Sequence, residues 1–561
     1  MARPIAWQAE TVDWGAPLGR WGERGGFDTA SSGGMTGHLD PRTLAFARAH
    51  LGDPQPSPLP HQVPIGPSRI TSEELGDLFG SIEARTDEQS RVRFSRGMSY
   101  VNMVSWRSND IKRAPDAVVF PSDHEQVLAV LTACAKNGVC VVPVGGGTSV
   151  TGGIDTPKAD LVVAVSTDQI NGVMEFDEES AIVTVGAGIT GPELEAFVNP
   201  RGWTLGHFPQ SFERASIGGY IAARSSGQSS SGYGRIEDLL VGAQVATPAG
   251  TWRVGGYPAA SSGPDLRHLV LGSEGTLGVV TSAQLRVRAL PTVREYTAAI
   301  VPGEFATAAA VVRELTRSPL RPTVLRASDP AETEALVTMS APGGLMGWAF
   351  AQYLRVRRAR PGSLMIVGFE SASASTLAAM RAFARETLAN AGAVGLGQGP
   401  GRSWRKHRFH GPFQRDELMD SGYLVETFET VVPWSRLIST HDRLSALVRH
   451  ELGSRAYVMA HISHSYDVGA SLYFTVLAGG WSDPSMSAAK WSETKSKIMA
   501  VLAECEAAIS HHHGVGRDHR DWLASRLDRV STDVLAQIKR TVDPEGIMNP
   551  GALISTDGID A

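Results

Sequence analysis

The stretch from Pro143 to Gly153, Pro-Val-Gly-Gly-Gly-Thr-Ser-Val-Thr-Gly-Gly, constrains this chain more than any other. It follows the apolar, β-branched run Val139-Cys140-Val141-Val142, which predicts a strand entering a glycine turn. Three adjacent glycines let the backbone take positive φ and bring its N–H groups close to a ligand. Successive N–H groups in such a turn form a concave anion site suited to a diphosphate. Thr148 and Ser149 add hydroxyl donors. The loop has neither the Lys-Ser/Thr of a Walker A loop nor the order of a G-x-G-x-x-G turn.

Further glycine motifs follow in a set order. Gly186-Ala187-Gly188-Ile189 comes after the strand-like run Ala181 to Val185. Then come Gly218-Gly219, Arg224-Ser225-Ser226-Gly227, Tyr233-Gly234-Arg235-Ile236-Glu237-Asp238 and Gly272-Ser273-Glu274-Gly275-Thr276-Leu277-Gly278. In this order and spacing, residues 110 to 292 resemble the PCMH-type FAD-binding domain of the vanillyl-alcohol oxidase superfamily. The resemblance implies that Pro143, Val144, Gly145, Gly146, Gly147, Thr148 and Ser149 wrap the FAD diphosphate. It implies that Gln210, Ser211, Phe212, Glu213, Arg214, Ala215 and Ser216, with Ala223, Arg224, Ser225 and Ser226, line the flavin and its linker. Gly272, Ser273, Glu274, Gly275, Thr276, Leu277 and Gly278 close around the cofactor.

A chain of 561 residues is too long for one core and should form two or three domains. Its 52 basic and 58 acidic residues give a net charge of -6, which argues against a general nucleic-acid binder. Cys134, Cys140 and Cys505 are too few for a disulfide framework and fit a reducing compartment. No apolar run reaches transmembrane length, Met1 to Glu10 lack an apolar signal core, and the final residues Gly558 to Ala561 carry no peroxisomal signal. The expectation is a cytoplasmic protein, with peripheral membrane contact left open.

Residues 1–105 form a segment rich in Gly, Pro and Trp with some helix, including a proline-dense linker from Pro54 to Pro67 and a helix start at Thr71-Ser72-Glu73-Glu74. Residues 106–292 read as the FAD-binding domain, in which His124 to Asn137 has helical spacing and Gly138 supplies the stop. Residues 293–510 read as a substrate-binding cap with a second sheet covered by helices. Strands are expected over Tyr296 to Val301, Leu364 to Phe369 and Leu472 to Val476, and helices over Phe305 to Arg317, Ser371 to Ala391 and Ser492 to Ile509. Residues 511–561 carry a histidine run and return to the first domain. The fold class is α+β.

Three features beyond residue 292 carry chemistry. His511-His512-His513 precede Gly514-Val515-Gly516, which permits close backbone approach to a ligand. Three consecutive side chains on a regular element do not converge, so no metal is expected there, and a role as acid, base or anion donor is the functional alternative to packing. In His461-Ile462-Ser463-His464-Ser465-Tyr466-Asp467-Val468-Gly469, a strand would place His464, Tyr466 and Val468 on one face. Arginines form the third feature: Arg326 after the strand-like Pro322 to Leu325, and Arg402 and Arg405 in the basic run Gly401 to Arg408. In a pocket, arginine is the bidentate partner of phosphate or carboxylate.

Over residues 100 to 550 the chain resembles the alkyldihydroxyacetonephosphate synthase family. The match lies in Tyr423-Leu424-Val425-Glu426-Thr427-Phe428-Glu429-Thr430-Val431-Val432-Pro433-Trp434, in His-His-His-Gly-Val-Gly, in Ser465-Tyr466-Asp467 followed by Gly469-Ala470, and in Gly206-His207 followed by Pro209. The resemblance implies exchange of the acyl chain of acyl-dihydroxyacetone phosphate for a long-chain alcohol, through an imine-type adduct at flavin N5 and without net redox change. It implies an acid/base role for Tyr466 at the C1 proton, an essential histidine run His511 to His513, and an essential Arg326. Arg402 or Arg405 would bind the substrate phosphate, and His207 would sit near the flavin. It further implies non-covalent FAD, a homodimer, and an apolar tunnel reaching the flavin from a membrane surface.

The tail Gly546-Ile547-Met548-Asn549-Pro550-Gly551 is closer to flavin-dependent D-2-hydroxyacid dehydrogenases, which makes such a dehydrogenase or oxidase the alternative. The region His461 to Gly469 lacks the metal-binding His-x-Gly-x-Gly-Asn-x-His type stretch of those enzymes. A non-catalytic flavin- or lipid-binding protein is a third reading.

Overall fold

The computed structural model describes residues 41–53, 65–108, 111, 113–340, 344–409, 411–480 and 484–554. Strands and helices mix as an α+β fold should. The strand Cys140–Val144 lies at one edge of a four-stranded sheet, beside Val162–Ser166, then Ala117–Val119 and Ala84–Arg85. Its pairing with Val162–Ser166 is parallel. The helix His124–Lys136 makes the preceding crossover. Asp123 caps its start by accepting the Gln126 amide at 2.8 Å, and Gly138 turns the chain at φ 64°. Its stripe Val127, Val130, Leu131 and Cys134 is fully buried, as helical spacing predicts. The glycine loop leaves the C-terminal end of this parallel strand. A second, antiparallel sheet of five strands follows in the order Val173–Asp177, Ile182–Gly186, Val279–Arg286, Leu240–Thr247 and Gly250–Gly255.

The later half builds a seven-stranded antiparallel sheet. Its order is Val394–Gly397, Val293–Pro302, Gly362–Ser371, Val324–Ser328, Ala456–Ser465, Gly469–Gly479 and Tyr423–Pro433. The helices Phe305–Arg317, Ala374–Asn390 and Leu437–Leu452 pack against it. The period of two sorts its side chains. Along Gly469–Gly479, Ala470, Leu472, Phe474 and Val476 are fully buried in the core, while Tyr473, Thr475 and Leu477 face a large cavity. Arg326, Leu364, Ile366, Thr427, Met459, His461 and Ser463 line the same cavity from neighbouring strands. One face of this sheet is therefore core; the other walls the cavity, except at Val293–Pro302, where Ala298 and Ile300 pack in a separate apolar cluster.

The segment before residue 112 divides between the cores. Phe46, Leu51, Met98 and Met103 pack in the core of the seven-stranded sheet, whereas Ile70 and Phe79 pack with the four-stranded sheet. Ile547 and Met548 join the latter core, and Met548 bridges to Val141.

Several elements differ from expectation. The helix expected over Ser492 to Ile509 spans Pro484–Glu504, and Glu506 at φ 51° lies past its end. Ser371 still belongs to a strand, and the next helix starts at Ala374 with Ser373 as its cap. Arg326 sits inside the strand Val324–Ser328 rather than after it. The alternation of His464, Tyr466 and Val468 fails because the strand ends at Ser465. Tyr466 to Gly469 form a hairpin turn, closed by the Tyr466 amide donating to Gly469 O at 2.8 Å. Much of the Pro54 to Pro67 linker lies outside the described residues.

Candidate active site

A cavity of about 1450 Å³ lies between the glycine loop and the seven-stranded sheet. All of Pro143 to Ser149 line it, as do Gln210, Ser211, Ala215, Ser216, Ala223, Ser225, Ser226, Ser273, Glu274, Gly275 and Gly278. The glycines are required by close approach. A Cβ at Gly146 would lie 2.1 Å from Arg214 O, and one at Gly145 2.2 Å from Ser216 Oγ. The buried Thr167 Oγ1 and Gln228 Oε1, both on lining residues, have no hydrogen-bond partner. A polar ligand is what such atoms need.

Other expected cofactor residues support the cradle from behind. Phe212 packs between Phe208 and Phe409, with ring centroids 5.2 and 5.5 Å away. Glu213 and Arg214 do not line the cavity, and burial pushes the Glu213 carboxyl up to about 8. Arg224, at φ 51°, turns outward to pair with Glu237. Gly272, Thr276 and Leu277 shape the closing loop without lining the cavity; Thr276 Oγ1 donates to Ser273 O at 2.7 Å.

The substrate side departs further from expectation. Arg402 and Arg405 are exposed and do not line the cavity. They lie on the helix Gly399–His407, whose inward face carries Pro400, Ser403, Trp404 and His407 at helical spacing. That leaves 402 and 405 on the outer face. The lining arginines are instead Arg42, Arg326, Arg408 and Arg415. Arg415 is 9% exposed; its Nη1 donates to Met98 O at 3.1 Å, while Nε and Nη2 are buried without a hydrogen-bond partner. The Arg408 guanidinium sits 4.9 Å from the rings of both Phe208 and Phe409, and its Nε is likewise without a partner. Arg326 Nη2 donates to Glu332 Oε1 at 2.9 Å and lies 3.1 Å from His461 Nδ1. Burial would push the Glu332 carboxyl up, but His461 and Arg326 outweigh it and hold it down to about 2. His207 is fully buried and does not line the cavity; it meets the lining at Ser225, whose Oγ is 2.7 Å from Nε2, and at the Tyr220 ring, 4.9 Å away between centroids. Burial lowers its imidazole to about 3.

The histidine run is irregular backbone, so the rule for regular elements does not govern it. His511 and His512 turn toward each other, with Nδ1 atoms 2.9 Å apart, and ring nitrogens of His464, His511 and His512 lie within 4.8 Å of one another. This is a geometry a metal ion could use, but the rings are engaged. His464 Nε2 is 3.0 Å from Gly227 O, and His511 Nε2 is 2.6 Å from Tyr466 Oη. His512 and His513 line the cavity; His511 and Tyr466 do not, and the Tyr466 phenol comes up to it beside the lining Ser226. Burial pushes His464 and His511 well below the ordinary imidazole range, and His512 and His513 down to about 4 against the opposing pull of Glu429. The same burial raises the Tyr466 phenol to about 12. At neutral pH the cluster is uncharged.

The same cavity has an apolar arm of wall, made by Leu336, Met346, Phe350, Leu396 and Trp404, four of which (Leu336, Phe350, Leu396 and Trp404) pack against one apolar cluster. Its outer wall is the helix Gly344–Val356.

A family profile described as the FAD binding domain matches residues 115–256, and one described as the C-terminal domain of FAD linked oxidases matches residues 290–553. An alkyldihydroxyacetonephosphate synthase from Dictyostelium discoideum is 32% identical over 494 residues, covering 86% of this chain and 80% of that protein. This chain belongs to the alkyldihydroxyacetonephosphate synthase family. A solved structure of an alkyldihydroxyacetonephosphate synthase matches with a TM-score of 0.76 and 29% identity, covering 91% of this chain and 92% of that one. A mitochondrial D-lactate dehydrogenase from Saccharomyces cerevisiae is more distant, 24% identical over 455 residues, covering 80% of this chain and 73% of that protein. The cofactor is FAD. The glycine cradle and its unpartnered polar atoms fit that group, with Gly145 to Ser149 suited to the diphosphate.

Sequence reasoning missed Arg408, Arg415, Glu332 and Glu429. Arg415 sits in Gln414-Arg415-Asp416-Glu417, which has no mark of a site. Glu429 lay within a quoted motif but carried no role there. Its strand alternation, on the same face as Val425 and Thr427, was the available signal.

Proposed function

We propose that this enzyme exchanges the acyl chain of acyl-dihydroxyacetone phosphate for a long-chain alcohol, forming an ether. One observation supports this most: a single cavity joins a diphosphate-type glycine cradle, buried arginines and an apolar arm. A phosphate needs fixed cations, and Arg415 Nε and Nη2 and Arg408 Nε are buried N–H groups without a hydrogen-bond partner, Arg415 Nε lying 4.0 Å from Asp416 Oδ1. Arg326, fixed by Glu332, stands on the same wall. The long chains take the apolar arm.

Held by the cradle of Gly145 to Ser149 and Ser216, FAD would supply a nucleophilic nitrogen for the exchange. The chain's own residues orient the substrate and move its proton. Removing a proton beside a carbonyl needs a base in reach, and Tyr466, next to the lining Ser226 and backed by His511, takes that role. A bare tyrosinate is costly for a phenol at about 12, so the proton is best passed through the phenol oxygen to the histidines. Burial of these rings away from bulk solvent strengthens the fixed charges around them.

The helix Gly344–Val356 is the proposed membrane contact. It exposes Leu345, Met346, Val356 and Trp348, the last at 62%, while Met346 and Phe350 also line the arm. Exposed Arg355, Arg357, Arg358 and Arg360 follow. Apolar residues with a tryptophan beside a basic cluster suit an anionic bilayer surface. Among the described residues, no helix is long and apolar enough to cross a membrane.

The test is to supply palmitoyl-dihydroxyacetone phosphate and labelled hexadecanol and to detect the alkyl ether and free palmitate by mass spectrometry. Absence of both, with FAD bound, would sink this reading. Bleaching of the flavin by a D-2-hydroxy acid under anaerobic conditions would favour the dehydrogenase alternative.

A further inference from the structure

We infer that Glu429 is the fixed counter-charge of a proton relay running from Tyr466 through His511 to His512, and that it aligns the histidine run through its main chain. The source of the proton rests on the synthase reading above; the placement of charge does not.

Glu429 is buried on the strand Tyr423–Pro433, paired across to Tyr473. Its Oε1 accepts from Ser510 Oγ at 2.7 Å, from the His512 amide at 3.1 Å and from the His513 amide at 2.9 Å. Its Oε2 accepts from the His511 amide at 2.7 Å. Three consecutive amides aimed at one carboxylate form an anion nest in the irregular backbone of residues 510–513. Burial would raise this carboxyl, but the histidines and the amide donors hold it well below the ordinary range. The anion is permanent. It lies 3.6 Å from His512 Nδ1 and 4.0 Å from His511 Nδ1.

The contacts also order the protons. If Tyr466 donates to His511 Nε2, His511 must carry its own hydrogen on Nδ1 and donate it to His512 Nδ1. In the relay the substrate C1–H bond breaks, its electron pair passes toward the adjacent carbonyl, and the proton goes to Tyr466 Oη. The Tyr466 O–H proton moves to His511 Nε2, and the His511 Nδ1 proton moves to His512 Nδ1. Tyrosine and His511 end neutral; His512 ends as imidazolium beside Glu429. The reverse sequence returns the proton.

The other groups around the run oppose that charge. Arg235, whose Nη2 donates to His511 O at 3.1 Å, disfavours it at His511 and His512, His461 and His464 add to this, and Arg415, Lys495 and His519 face His513. Glu429 is the group that works in its favour.

The test compares wild type, Glu429→Gln, Glu429→Asp and His511→Phe as FAD-loaded proteins. Loss of C1 deuterium from labelled acyl-dihydroxyacetone phosphate to water reads proton transfer apart from ether formation. Glu429→Gln should slow this loss at least about 100-fold, change KM by less than about threefold, and move the acid limb of the pH profile to lower pH. Glu429→Asp should restore part of the rate. His511→Phe leaves the Glu429 amide contacts in place and should lose the exchange equally. Wild-type exchange in either Glu429→Gln or His511→Phe would overturn the relay. If wild type itself neither exchanges deuterium nor makes ether, the synthase reading fails instead. Histidine NMR titration then decides the charge placement: the His512 titration should fall by about one pH unit or more in Glu429→Gln, and an unmoved titration would overturn it. The same titration serves if Glu429→Gln loses its FAD.

Discussion

Glu274 Oε2 accepts the amide of Gly516 at 2.6 Å, and through this bond the loop closing on the FAD cradle holds the loop that follows the histidine run. Glu274 Oε1 accepts the neighbouring Val515 amide at 2.5 Å. Burial raises this carboxyl to about 7 despite the two amides. A carboxyl raised in the folded state contributes stability that is full below its unfolded value and is lost as pH rises through about 7. Glu274→Gln should therefore match wild type near pH 5 and gain on it by up to roughly 3 kcal/mol by pH 8. Denaturant unfolding at both pH values measures this, and a pH-independent difference would contradict it.

Tyr466→Phe removes the hydroxyl that faces His511 and little else. FAD absorbance and thermal midpoint should stay near wild type, while ether formation falls by about 10²–10⁴, the usual worth of a positioned acid or base. Retained turnover would show that Tyr466 carries no proton.

Arg415 and Arg402 make a contrasting pair. Arg415→Met should lower kcat/KM for acyl-dihydroxyacetone phosphate by roughly 100-fold or more, because a charge-assisted phosphate contact is lost. Its thermal midpoint should fall, since the change also removes the Met98 contact and leaves buried Asp416 without the cation 4.0 Å away. Kinetics at a temperature where both proteins are folded keeps the two effects apart. Arg402→Ala, on the outer helix face, should leave kcat/KM within about twofold. Steady-state kinetics on both variants separates them, and the opposite ranking would return the phosphate to Arg402.

Replacing Leu345 and Trp348 together by Glu should abolish sedimentation with anionic liposomes. Turnover of substrate presented in vesicles should fall at least about tenfold, and turnover in detergent micelles should not. Equal losses in both would point to damage of the arm rather than of a membrane contact.

Local patterns made much of the fold legible. The helix Phe305–Arg317 runs between its expected ends, because an unbroken apolar stripe specified it. The cradle from Pro143 to Ser149 was equally plain, since only glycines tolerate Arg214 O and Ser216 Oγ so close. What escaped depends on contacts across the chain. Tyr466 reads as a strand residue until the strand's end at Ser465 is seen, and its partner His511 lies 45 positions away. Arg402 and Arg415 lie on different helices and differ in whether their helix face meets the cavity, and local composition around 402 drew attention to the exposed one. Glu429 gains its meaning from amides 82 to 84 residues later.

The division of residues 41–111 between two cores has a practical consequence. A fragment starting at residue 112 would lack Phe46, Met98 and Met103 from one core and Ile70 and Phe79 from the other. Although the matched family regions begin at residue 115, a protein cut there would carry two unfinished interiors. The early segment is a strap sewn through both halves, and grafting the catalytic halves onto another scaffold would have to bring the strap along.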